Sequence, residues 1–328
     1  MLYFLIGAAL FFDFLNGFHD SSNIVATVIS SRALQPRIAL YTTALAEFSA
    51  PFIFGVAVAT TVGKDLIEPS AVSQEVIIAA VLSAILWDIL TWLIGIPSSS
   101  SHALVGGLLG AAILVEGVQI VQLSGLIKIL VALFVSPPLG LIAGYLLMHL
   151  ILRLFQNATP RINVVFKRMQ VLTSVGLALS HGTNDSQKTM GIITLGLVAA
   201  GYQKTFQVPI WVIAASAGSI ALGAGLGGWR LISTLGGKIY KIRPVHALTS
   251  QMASASVILG AALLGGPVST TQVVSSAIMG AGAAERVTKV RWIVARDMIY
   301  TWLFTIPATG ISAALLYLPV HRLLASVQ

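Results

Sequence analysis

The 328-residue chain has no cysteine and little charge: Asp, Glu, Lys and Arg together make up only 9% of it. The missing thiols exclude a disulfide scaffold, a thiolate zinc site, iron–sulfur ligation and a cysteine nucleophile, and they leave the redox compartment open. The missing charge excludes more, because a soluble domain carries about 25% charged residues and needs them to cover a water-facing surface. With 56% hydrophobic residues, the solvent this composition suits is lipid. The net charge of +8 does not call for nucleic acid, since the basic residues fall between apolar runs rather than along one stripe. No Lys or Arg precedes the first apolar run, so that run is expected to stay in the protein rather than be cleaved as a secretory signal.

A spanning helix needs about 20 apolar residues, and roughly ten such runs can be marked: 2–30, 38–62, 76–96, 98–115, 124–152, 170–200, 208–228, 246–264, 267–284 and 297–318. Lys and Arg collect on the cytoplasmic side of a membrane protein. Four connections hold fourteen of the nineteen: 31–37 (Arg32, Arg37), 153–168 (Arg153, Arg161, Lys167, Arg168), 229–245 (Arg230, Lys238, Lys241, Arg243) and 285–296 (Arg286, Lys289, Arg291, Arg296). Ten crossings with both termini outside place all four connections on the inner side.

The chain also resembles itself. Asn16-Gly17-Phe18-His19-Asp20-Ser21-Ser22-Asn23 is followed 165 residues later by His181-Gly182-Thr183-Asn184-Asp185-Ser186-Gln187-Lys188. A second pair lies 170 residues apart, Pro97-Ser98-Ser99-Ser100-Ser101-His102 against Pro267-Val268-Ser269-Thr270-Thr271-Gln272. Two ordered matches at nearly one offset indicate two halves: 1–152, then a basic cytoplasmic linker at 153–168, then 169–328. Five crossings per half is an odd number, so the second half enters the membrane from the opposite side. The expected fold is therefore an all-α polytopic membrane protein of two inverted five-segment repeats, whose interrupted helices meet near the midplane, as in secondary transporters.

Asp13, Asn16, Asp20, Asn23, Thr27 and Ser30 are spaced 3, 4, 3, 4 and 3, which sets all six on one helix face. A charge at the membrane centre costs about 2.5–3.5 kcal/mol on insertion scales, so such a row persists only with partners or a bound ion. Interhelical hydrogen bonding is the plainer alternative. The carboxylate and amide oxygens of Asp20, Asn16 and Asn23 suit hard cations. Gly17 and Gly182 are expected to break their helices and free backbone carbonyls for the same ion; a proton on Asp20 or Asp185 is the competing account. The Ser-rich pair asks for the opposite charge. Pro97 and Pro267 fit helix starts, and hydroxyls among unpaired backbone donors at a helix's positive end bind an oxyanion; a tight turn with capping serines is the alternative. A Ser101–His102 dyad is excluded by helix geometry, since neighbours point about 100° apart, and no separated nucleophile and base suggest an enzyme. Glu47 and Asp88 lie inside spans with no polar row around them, either supporting the site or serving structure.

Together, the two Asp-containing motifs and the Pro-x-Ser-Ser/Thr-Ser/Thr pair resemble the inorganic phosphate transporter (Pit) family, in order over nearly the whole chain, and most closely its short bacterial and archaeal branch. The resemblance implies uptake of phosphate across the cytoplasmic membrane by symport with Na+ or H+, with a sulfate or other oxyanion permease as the alternative and no cofactor beyond a bound Na+. Position by position, it places cation coupling at Asp20, Asn23, Asn184 and Asp185, alongside Asn16 from the polar row, with Na+ at Asp20 and Asn23. It places the anion at Ser99, Ser100, Ser101, Ser269, Thr270 and Thr271. His19 and Lys188 depart from the family's pattern. Lys188 stands where the twofold pattern puts an Asn. Its ammonium is expected to take a cation's place and attract the oxyanion, or simply to pair with Asp185. Small-residue runs such as Gly223-Ala224-Gly225 fit either self-association into a homo-oligomer or packing within the bundle.

Overall fold

The computed structural model describes residues 1–68, 72–96, 98–227 and 242–325. Pro97, one of the two prolines expected to open a helix, lies outside them, as do Arg230, Lys238 and Lys241 of the third basic connection. The described chain is helical: α1 Leu2–Ser30, α2 Pro36–Phe54, α3 Ala57–Thr60 running into a π turn, α4 Gln74–Ile94, α5 Ser100–Glu116, α6 Leu123–Leu154, α7 Ile162–Ala199, α8 Ile210–Leu226, α9 Pro244–Leu263, α10 Thr270–Glu285 and α11 Trp292–Ala325. A single antiparallel bridge, Ile67 with Val121, is the sole β pairing among the described residues.

Every apolar run of the sequence coincides with a helix, but not every helix is long enough to cross. Leu2–Ser30, Gln74–Ile94, Leu123–Leu154, Ile162–Ala199 and Ala295–Leu323 are long and apolar enough, and the pair Pro36–Phe54 and Ala57–Asp65, bent by 75°, passes the same test when taken together. In contrast, α5, α8 and α10 have 17, 17 and 16 residues, short of the roughly 20 a full crossing takes. Among the described residues, these lengths mark a multi-pass membrane protein and leave the expected count of ten crossings unconfirmed.

The expected breaks at Gly17 and Gly182 do not occur. Both α1 and α7 run continuously through their motifs. A Cβ on Gly17 would run into the backbone of Ile220 in α8, and one on Gly182 into the backbone of Glu47 in α2. These glycines permit close helix contact, which a missing side chain provides as readily as it provides a break. The interruptions fall instead before α5 and α10. Gly95, in the left-handed conformation at φ 78, ends α4, and Ser99 caps α5 by accepting from the His102 N–H. Likewise Ser269 caps α10 by accepting from the Gln272 N–H. Pro267 lies two residues ahead of that cap, so it stiffens the extended approach and does not open the helix.

Packing interleaves the two halves of the sequence. α6 lies chiefly on α10, α11 on α5 and α4, α1 on α8 and α7, and α2 on α7 and α8. Of three apolar clusters among the described residues, the two largest involve both α1 and α7. One gathers Leu5, Ala9 and Phe12 of α1 with Met190, Ile193 and Leu197 of α7; the other gathers Ile24, Val25 and Val28 of α1 with Leu177 and Ala178 of α7. Between them, along the middle of both long helices, lies a polar layer running from Asp13 to Asn23 and from Ser180 to Thr189, nearly all of it buried.

At one end of the bundle the basic connections come together. Ser31 donates to Gln170 at 2.5 Å, Gln170 donates to the Pro244 carbonyl at 3.0 Å, and Glu285 pairs with Arg243, His246 and Lys289. α10 ends at this face. α5 ends at the other, beside the Ile67–Val121 bridge. The two short helices thus leave the polar layer in opposite directions.

Candidate functional site

The site is built where the starts of α5 and α10 meet the middles of α1 and α7. Ser101 Oγ donates to the Val268 carbonyl at 2.9 Å, and His102 and Gln272 approach at 3.4 Å, so the two short helices face each other across the layer. Each brings hydroxyls and, at its first turn, backbone N–H groups that no helical carbonyl can satisfy.

From α1, Asp20 Oδ1 accepts the Thr271 hydroxyl at 2.9 Å and lies 3.0 Å from His19 Nδ1. Asn23 Nδ2 donates to the same Thr271 oxygen at 2.8 Å. Asn16 Oδ1 accepts the Ser100 hydroxyl at 2.9 Å. From α7, Asp185 Oδ2 accepts Thr270 at 2.8 Å and lies 3.0 Å from His181 Nε2, while Asp185 Oδ1 holds the Lys188 ammonium. Thr270 also reaches Asp20 Oδ2 at 3.4 Å, so one hydroxyl spans the two carboxylates. Ligand atoms of Asp20, His181 and Asp185 all lie within 4.8 Å of one another, close enough to share a cation.

The structure therefore brings together Asn16, Asp20, Asn23, Asp185, Lys188, Ser100, Ser101, Thr270 and Thr271. Three further predicted residues make contacts that hold the backbone around the site. Ser99 Oγ accepts from the His102 N–H and also contacts His102 Nδ1 at 2.7 Å, and Ser269 is likewise a cap; both hold helix starts. Asn184 donates to the Gly266 carbonyl at 3.1 Å and accepts from the Val268 N–H at 3.3 Å, which clamps the extended approach to α10.

Two participants, His181 and Glu47, are not among the predicted site residues. His181 Nδ1 stands 2.8 Å from Glu47 Oε1, so a carboxylate from the middle of α2 joins the layer through an imidazole. The available signal was Glu47 itself, a lone charge in an otherwise apolar span. Asp88 lies apart from this network, beside His19 on a cavity of about 120 Å³ that Leu15, Phe18 and Trp92 help to line.

Charge is unevenly shared. The buried carboxylates among the described residues are Asp13, Asp20, Glu47, Asp88 and Asp185, and the one buried ammonium or guanidinium among them is Lys188. Burying an ionised group without a partner is costly, so the layer is built to take up positive charge. Beside that cation-seeking pair of carboxylates sit hydroxyls and helix starts, which suit an oxyanion.

Comparison with known proteins agrees with this geometry. The model of the phosphate transporter family matches residues 16–162 and 153–313. A protein of Rhizobium meliloti (strain 1021) named "Probable low-affinity inorganic phosphate transporter" is 43% identical over 315 residues, covering 95% of this chain and 94% of its own. One of the same name from Bacillus subtilis (strain 168) is 42% identical, covering 95% of each chain. Among solved structures, one titled "The sodium-dependent phosphate transporter" superposes with a TM-score of 0.88 at 23% identity, over 98% of this chain and 99% of that one, which shows a shared fold. The chain spans nearly the full length of these relatives, its site residues from Asn16 to Thr271 lie within the matched segments, and it belongs to the phosphate transporter family.

Proposed function

We propose that the protein imports inorganic phosphate across the cytoplasmic membrane by symport with a cation, through alternating access, and that both termini face outward. The observation that carries this reading is the pairing, in one buried layer, of an excess of carboxylates with hydroxyl-bearing helix starts. A cation at Asp20, with the Asn23 and Thr271 oxygens at hand, offsets the anion's charge. The Ser100, Ser101, Thr270 and Thr271 hydroxyls and the first N–H groups of α5 and α10 replace the anion's water. Phosphate alone would meet the Asp20 carboxylate without a mobile counter-charge; phosphate with a cation would not. Binding of one solute thus favours the other, and the doubly loaded site is the one that can be closed off from water.

The opposite directions of α5 and α10 support two inverted halves that exchange an outward for an inward opening around a fixed centre. Gathering of basic connections at one end supports that end being cytoplasmic. The sodium-dependent phosphate transporter of the same fold makes Na+ one candidate for the coupling ion, with H+ the other. The protein is a transporter and not an enzyme.

The test is uptake of radiolabelled phosphate into proteoliposomes, with Na+ and pH gradients imposed separately. Accumulation above the external concentration, driven by one of the two gradients, is the expected result. Simple equilibration would indicate a channel, and uptake displaced by sulfate but not by phosphate would move the substrate to another oxyanion.

A further inference from the structure

Asn23 and Lys188 occupy the same place in the two motifs, three residues after the Asp, and the structure gives them the same surroundings. Asn23 reaches across to the Thr271 hydroxyl, which in turn donates to Asp20. Lys188 reaches across to the Ser101 hydroxyl, its Nζ 2.5 Å from Oγ, and also holds Asp185 Oδ1. Ser101 and Thr271 are themselves counterparts in the Ser-rich pair. Each corner therefore contains a carboxylate from a long helix, a hydroxyl from the opposite half's short helix, and the residue three positions after the carboxylate.

Around Lys188 Nζ stand Asp185 Oδ1, Ser101 Oγ and the Val268 carbonyl, the last at 3.3 Å. These are a carboxylate, a hydroxyl and a backbone carbonyl exposed by the extended approach to α10. Such a set of hard oxygens carrying one negative charge is what a Na+ ion takes from a protein. An ammonium has three donors, and all three are spent on this shell. None is left for a substrate unless one of these bonds opens, which favours the expectation of Lys188 in a cation's place over that of an anion contact. The side chain is 1% exposed, and its charge is fixed at a position a mobile ion would otherwise enter and leave.

We propose that Lys188 is a tethered cation that permanently fills one of two symmetry-related cation positions, so that this transporter runs with one mobile coupling cation fewer than the twofold layout can hold. This deepens the symport reading above and rests on it. The remaining mobile position is the corner of Asp20, Asn23 and Thr271. With Lys188→Asn, both corners carry an amide beside a carboxylate, and the second becomes an open cation site.

Saturation binding of 22Na+ to purified protein without phosphate tests this, independently of whether phosphate is the substrate. The expected result is one more Na+ per protein for Lys188→Asn than for the wild type, together with Na+-dependent recovery of its thermal stability that choline does not reproduce. A folded variant with the wild-type count would overturn the proposal and leave Lys188 as an ordinary ion pair. The wild type supplies a second measurement that does not depend on the variant folding: at most one bound Na+ supports the tethered charge, and two bound Na+ with Lys188 in place refute it. Failure of phosphate uptake by the wild type would sink the symport reading without altering either count.

Discussion

The corner built on Asp20 and the corner built on Asp185 share a layout and differ in how their charge is compensated. Asp20 is held by neutral hydroxyls and flanked by imidazoles, with His19 at 3.0 Å and His181 at 3.8 Å. Asp185 has a covalently attached counter-charge three residues away on its own helix. A carboxylate of the first kind needs something mobile to become neutral, and one of the second kind does not. The difference separates the two jobs a buried charge can do: the first corner is arranged to respond to ions, the second to remain as it is while the first one cycles.

Substitutions that treat the two corners identically should therefore give unlike results. Asp185→Asn leaves the Lys188 ammonium buried with no counter-charge, which costs about 3–5 kcal/mol. Thermal unfolding in detergent should show this as a large loss of stability, and adding Lys188→Met should recover much of it by removing the stranded charge. A single variant as stable as the wild type would erase the distinction between the corners. Asp20→Asn, by contrast, strands no fixed cation and is expected to fold. It removes the charge that would hold the mobile one, and losing a charged partner in a buried site costs about 2–5 kcal/mol, so concentrative phosphate uptake should fall roughly thirtyfold or more. Wild-type accumulation by Asp20→Asn would remove that residue from coupling.

Much of this was legible in the sequence because helical spacing dictates which residues share a face. Asp13, Asn16, Asp20, Asn23 and Thr27 are all buried on α1, as the 3 and 4 steps require, and only Ser30 at the end of the row is half-buried. The repeated motifs also predicted that the Ser-rich starts would meet the Asp motifs. Spacing on one helix, however, says nothing of what stands opposite. That Glu47 of α2 reaches His181, or that Asn184 turns away from Asp185's neighbours to clamp Gly266 and Val268, depends on how helices are rotated against one another. The glycines show a further ambiguity. A missing side chain can serve a break or a close approach, and only the backbone of Ile220 and of Glu47 lying against α1 and α7 decides for the latter.

Close approach makes its own prediction. An added methyl on Gly17 or Gly182 meets backbone, which cannot swing aside, so either Gly→Ala change should cost about 1–3 kcal/mol. Gly176, also on α7, has nothing within 4 Å of its would-be Cβ, and Gly176→Ala should instead stabilise by about 0.5–1 kcal/mol through helix propensity. Comparing unfolding temperatures of the three variants checks both signs. If Gly182→Ala behaved like Gly176→Ala, the glycine's purpose would revert to backbone freedom.

The smallest effect belongs to a position where the halves do not match at all. Asp13 on α1 corresponds, at the 165-residue offset, to Ala178 on α7, and both are fully buried. The Thr189 hydroxyl of α7 stands beside the Asp13 carboxyl. Unlike Asp185 with its Lys188, Asp13 forms no ion pair among the described residues, so replacing it strands no counter-charge. Asn has nearly the same size and shape. Asp13→Asn should consequently change stability by less than about 0.5–1 kcal/mol, within the range of one ordinary hydrogen bond, whereas the same chemical change at Asp185 costs several times more. A large loss at Asp13 would mean that it is ionised and paired, and that α1 holds a fixed charge of its own to set against the one α7 holds at Lys188.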